Sequence, residues 1–92
     1  MKIINWNNRK NELLKIERNI SFEKVALQFD QKNILEIIEH PNKNKYFNQK
    51  MAIININDYI YLVPFVENNE EIFLKTIIPS RKATKKYLRD LK

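Results

Sequence analysis

KMAIINI (Lys50–Ile56), Asn57-Asp58 and YIYLVPFV (Tyr59–Val66) together form the stretch that decides the fold. Two runs of branched and aromatic residues flank a two-residue polar loop. Asn and Asp are the residues after glycine that best tolerate a left-handed backbone, and this chain contains no glycine. The spacing therefore predicts a tight antiparallel hairpin. Pro64 falls late in the second run and has no N–H to give a ladder, which predicts an edge or a bulge there.

Outward from the hairpin, ENNEE (Glu67–Glu71) reads as the next turn and Ile72–Ile78 as another strand. On the other side, ILEIIEH (Ile34–His40) reads as a strand closed by Pro41 and the polar NKNK. Short loops between these four strands predict an antiparallel sheet. Upstream, Ser21 offers an N-cap to Phe22, Val25, Ala26 and Phe29, spaced i, i+3, i+4, i+7 as on a short amphipathic helix. A further helix is expected from Asn7 through Glu17, with Trp6, Lys10, Leu13, Leu14 and Ile16 on one side. Met1–Asn5 is apolar, an edge strand or a simple lead-in.

After Ile77-Ile78 and Pro79, Ser80 is a natural N-cap for a last helix. At 100° per residue Lys82, Lys85, Lys86 and Arg89 share one face, with Thr84, Tyr87, Leu88 and Leu91 opposite. The expected fold is α+β: two N-terminal helices over one face of a four-stranded antiparallel sheet, then a basic C-terminal helix. The strands are apolar on both sides, so the last helix or a partner should cover the second face.

A chain of 92 residues supplies one small domain, spanning 1–92, with one core. At 43% hydrophobic and 30% charged it has the composition of a folded protein, not of a disordered tail. No apolar run approaches the roughly 20 residues of a membrane span, and tryptophan and charges near the N-terminus do not suit a signal peptide. The absence of cysteine excludes disulfides and thiolate metal sites. The expectation is a cytoplasmic protein that needs no metal and no cofactor. A net charge of +6 favours an anionic partner, and Lys75 to Lys92 concentrates seven basic residues against one acid, Asp90.

Two segments carry a resemblance. WNNRKNELLKIERNISFEKVA (Trp6–Ala26) is similar to the N-terminal signature of the BrnT-type toxins of bacterial type II toxin–antitoxin systems. That signature has a tryptophan, a lysine four residues on, and Ser-Phe-Glu at the second helix, here Trp6, Lys10, Ser21, Phe22 and Glu23. IIPSRKATKK (Ile77–Lys86) resembles the same family's C-terminal signature. Lys50 stands where the family usually has an arginine. The chain departs from the family pattern at Asn7, at Glu17-Arg18-Asn19 and at Thr76, beside Lys75. The resemblance implies a RelE-like fold, a ribonuclease that blocks translation by cleaving RNA, and a small ribbon-helix-helix DNA-binding antitoxin as cognate partner.

RNA carries its own nucleophile, the 2′-hydroxyl, so a ribonuclease needs to align it and stabilise charge on the phosphorane. Positioned cations supply that, each such donor being worth on the order of 3 kcal/mol of barrier. Arg81 is the leading candidate for the phosphate, because a guanidinium holds two oxygens at once and here begins a helix. Lys50 and Lys10 follow. Lys10 lies beside the apolar stripe of its helix, where a lysine commonly packs its stem and leaves its ammonium in water. His40 is a candidate general base or acid, since imidazole titrates near neutrality. Lys82, Lys85, Lys86 and Arg89 are expected to bind RNA. The competing functions are a non-catalytic nucleic-acid-binding or regulatory module that uses the same basic face, and an interaction subunit paired with an acidic protein.

Overall fold

The computed structural model describes residues 2–46 and 48–88. The chain runs β1 (Ile3–Trp6), α1 (Asn8–Arg18), α2 (Phe22–Asp30), β2 (Ile34–Glu39), β3 (Lys50–Ile56), β4 (Tyr59–Glu67), β5 (Glu71–Leu74), β6 (Ile78–Pro79) and α3 (Arg81–Leu88). The fold is α+β, with strands ordered β1-β5-β4-β3-β2 and β6 also paired to β4. The β3–β4 hairpin pairs from Lys50 opposite Phe65 to Ile56 opposite Tyr59. Asn57 and Asp58 both take positive φ, 54° and 63°, as a two-residue type I′ turn requires.

Two expectations about the sheet are corrected. The sheet is mixed and six-stranded, not antiparallel and four-stranded. Of the two readings of Met1–Asn5 the edge strand holds, as Ile3–Trp6 parallel to β5, and the expected last strand forms two. Nothing local in MKIIN specifies a partner so far along the chain. The strand expected over Ile72–Ile78 is also divided. Phe65 pairs with Leu74 and Leu62 with Ile78, so three steps of β4 face four steps of the returning chain. The extra residue is a bulge, and it falls opposite Pro64. Pro64 accepts the Lys75 N–H at 2.8 Å. Its nitrogen turns to the same neighbour and has no proton to give, so the ladder breaks there.

Both N-terminal helices cover one face. Phe22 and Val25 of α2, Leu14 of α1 and Ile20 form a core with Ala52, Ile54, Ile56, Val63, Phe65 and Leu74. Trp6 stacks on Phe22, and Phe29 meets Phe65 edge-on. The inner face of α1 differs from the expected stripe: Leu13 is 51% and Ile16 81% exposed, while Asn11 is only 2% exposed. Asn11 is inside because it has work to do there. Its Oδ1 accepts the Phe22 N–H at 2.8 Å and its Nδ2 donates to Glu23 Oε1 at 2.8 Å.

On the opposite face, Met51, Ile53 and Ile60 are buried and α3 crosses β4. Ser80 caps α3, its Oγ accepting the Ala83 N–H at 3.0 Å. Thr84 then fastens the helix to the sheet: its Oγ1 donates to the Ser80 carbonyl at 2.7 Å and accepts the Ile60 N–H at 2.9 Å. Farther along, Tyr87 donates to Glu36 of β2. Among the described residues no helix is long and apolar enough to cross a membrane.

Candidate anion-binding site

β1 and β5 end together, Trp6 opposite Leu74, and the chain from Lys75 to Ile77 then runs outside any strand. Asn7 caps α1 at this point, its Oδ1 accepting the Lys10 N–H at 3.0 Å. That cap fixes the first turn of the helix beside the end of β5. Lys10, Leu13, Leu14 and Glu17, spaced i, i+3, i+4, i+7, then look the same way. With Asn7, Arg9, Phe73 and Lys75 they line a cavity of about 520 Å³.

The cavity is cationic. Arg9, Lys10 and Lys75 share it with one carboxylate, Glu17. Among the described residues none of these four side chains enters an ion pair within 4.0 Å. The Lys75 ammonium rests 5.6 Å above the centroid of Phe73, where the ring's negative face attracts it. Arg9, Lys10, Glu17 and Lys75 are all exposed to solvent, and like charges gathered around such an open recess favour an anion.

The other candidates are dispersed. Lys50 donates to Glu67 Oε1 at 2.9 Å, and Lys2 holds the second oxygen at 2.6 Å. Hydrogen bonds from Lys2 and Lys50 keep the Glu67 carboxyl below its ordinary range. Lys50 is thus already paired, sharing Glu67 with Lys2, on the helix-covered side. Arg81 begins α3 on the other side, exposed to solvent. Lys50 lies opposite Phe65, whereas α3 is hung from Ile60 through the Ser80 N–H. Five residues of strand, roughly 17 Å, separate those levels.

His40 lies in the β2–β3 loop, packed on Tyr46 with ring centroids 4.3 Å apart and the planes tilted by 35°. Its Nδ1 accepts the Asn42 N–H at 3.1 Å, a contact that organises the turn after Pro41. Lys82, Lys85 and Lys86 are exposed on α3, opposite Thr84, Tyr87 and Leu88 as expected. Arg89, and Leu91 from the inner face, lie outside the described residues. Of the four candidates Arg81, Lys50, Lys10 and His40, the structure puts only Lys10 in the cavity.

Arg9 and Lys75 are the cations that the sequence did not single out. The Asn7 cap was the available signal for the first, because it fixes which way the opening turn of α1 faces. Arg18 adds a link from α1 toward α3, its Nη1 donating to the Ile77 carbonyl at 2.9 Å. Among the described residues no group of three or more His, Cys, Asp or Glu side chains is placed to hold a metal ion. Comparison with protein-family models, curated proteins and solved structures finds no match.

Proposed function

We propose that this protein is an RNA-cleaving toxin of the type II toxin–antitoxin kind, acting from the cavity between α1 and β5. The observation that carries the proposal is the meeting of Arg9, Lys10 and Lys75 around one recess large enough for a nucleotide. Of the two signature-like segments, only the first lines that recess. The first supplies Lys10, and the second leads from the Ile77 carbonyl, held by Arg18, into α3.

The chemistry follows from charge. With the phosphodiester among the three cations, they offset the negative charge that grows as the 2′-oxygen, giving its proton to water, attacks phosphorus and the 5′-oxygen leaves with a proton taken from water. Arg81 and the lysines of α3 lie farther along the sheet. Lys75 bonds β4 at Pro64 and Ser80 bonds it at Ile60, four residues or about 13 Å apart. One RNA strand can touch both regions, with α3 holding the backbone by charge alone.

The test is purified protein incubated with single-stranded RNA, read by end mapping, alongside induced expression in growing bacteria. Cleavage with 2′,3′-cyclic phosphate ends, growth arrest, and rescue by a co-expressed antitoxin support the proposal. Salt-sensitive binding without cleavage favours the second reading, a non-catalytic RNA-binding module. Its support is the exposed lysine face of α3, itself fastened to the sheet through Thr84.

A further inference from the structure

Glu17 is out of place in a cavity meant only for phosphate. It lines the recess with three cations, yet forms no ion pair with any of them. A carboxylate there repels a phosphate oxygen, so its useful partner is a hydrogen-bond donor on the same ligand. Leu13 and Phe73 supply apolar walls, and Leu13 lies half-exposed at the rim although leucine ordinarily packs inward.

A nucleotide matches that lining: phosphate for the cations, the faces of a base for the apolar walls, and base-edge donors for Glu17. The four bases differ in those donors. Guanine presents N1–H and the N2 amino group side by side, which a carboxylate accepts with both oxygens. Adenine and cytosine each offer one amino group beside a ring-nitrogen acceptor that repels the carboxylate. Uracil offers one N–H between two carbonyls. We infer that the cavity is a guanine-selective nucleotide site in which Glu17 reads the base edge while Arg9, Lys10 and Lys75 hold the phosphate.

This inference rests on the RNA-cleaving reading, and its test separates the two. Guanosine, adenosine, cytidine and uridine monophosphates are titrated into the purified protein and into Glu17→Gln. The parent is expected to bind the guanosine nucleotide roughly 5- to 100-fold more tightly than the others. Glu17→Gln replaces one acceptor oxygen by a donor and should lose that preference while keeping its affinity for phosphate. RNA cut sites should fall at guanine in the parent and spread in the variant. Equal affinity for all four nucleotides, or an unchanged preference in Glu17→Gln, overturns the inference even if RNA is cut. If Glu17→Gln keeps its guanine preference but loses cleavage and the acidic limb of the pH–rate profile, Glu17 is a general base and the inference falls. Guanine preference without any cleavage upholds the site and overturns the ribonuclease reading.

Discussion

The Asn11 side chain accepts the backbone N–H of Phe22, so a residue of α1 caps the first turn of α2. Ser21 caps the same turn through the Lys24 N–H. The two helices are thereby locked at their junction, and Phe22 is held over the sheet against Trp6. The orientation of α1, and with it the cavity, depends on this contact.

Asn11→Ala should therefore be strongly destabilising. It leaves a buried N–H without a partner and removes a cap, together costing about 2–3 kcal/mol. For a domain of this size that lowers Tm by roughly 10–20 °C. Asn11→Asp keeps the acceptor for Phe22 but sets a second carboxylate against Glu23. The loss should then be partly reversed by adding Glu23→Gln, read by thermal melts of the single and double variants.

Acid should weaken the protein through Glu67. Hydrogen bonds from Lys2 and Lys50 hold its folded-state pKa below the ordinary 4.5. A depressed carboxyl contributes stability above its unfolded pKa and loses it as pH falls through the folded value. Urea midpoints should therefore be insensitive to this group from pH 7 to about pH 5 and decline below about pH 4.5. Glu67→Gln should flatten that part of the profile. An equally steep acid limb in the variant assigns the loss to other carboxylates.

Alkali should act at the other end of the sheet. The hydrogen bond to Glu36 raises the Tyr87 pKa above its usual 10.0, because an ionised phenol has no proton to donate and repels the carboxylate. A raised pKa contributes stability below the unfolded value and loses it as pH rises through the folded one. Tyr87→Phe should cost roughly 0.5–1 kcal/mol near neutrality, the low end for a hydrogen bond, because water reaches this contact. It should also remove the stability loss above about pH 10 and increase amide exchange in α3.

The elements that repeat a local pattern were legible in the sequence. Ser21 and Ser80 cap helices, and Asn57-Asp58 turns the hairpin, because each acts on residues two or three positions away. Pro64 pointed to an edge or a bulge for the same reason, and in β4, an inner strand, the extra residue of the returning chain falls opposite it. The pairing of Ile3–Trp6 with β5 and the burial of Asn11 were not legible. Both depend on partners brought near only by the finished fold, and Asn11 is polar where a hydrophobic stripe was sought. The same limit hid the candidate site. Arg81, Lys50 and His40 carry the right chemistry singly, but which cations share one recess depends on where β1 stops.

The sharpest comparison is between Lys10, Lys75, Arg81 and Lys50. If the cavity holds the scissile phosphate, Lys10→Ala and Lys75→Ala should each slow RNA cleavage about 100- to 1000-fold, the usual cost of removing a donor to a developing oxyanion. Arg81→Ala should weaken RNA association and reduce its salt dependence by about one ion, with a smaller loss at saturating RNA. Lys50→Ala unties one oxygen of Glu67 and should affect stability more than cleavage. Arg81→Lys distinguishes the two possible duties of that arginine. A backbone-steering role tolerates lysine, whereas a two-oxygen clamp on the reacting phosphate does not. All variants must melt like the parent, since a lost fold imitates lost chemistry. Arg81→Ala and Arg81→Lys both falling 100-fold at saturating RNA, with Lys10→Ala near parental, moves the reaction from the α1–β5 cavity to the start of α3.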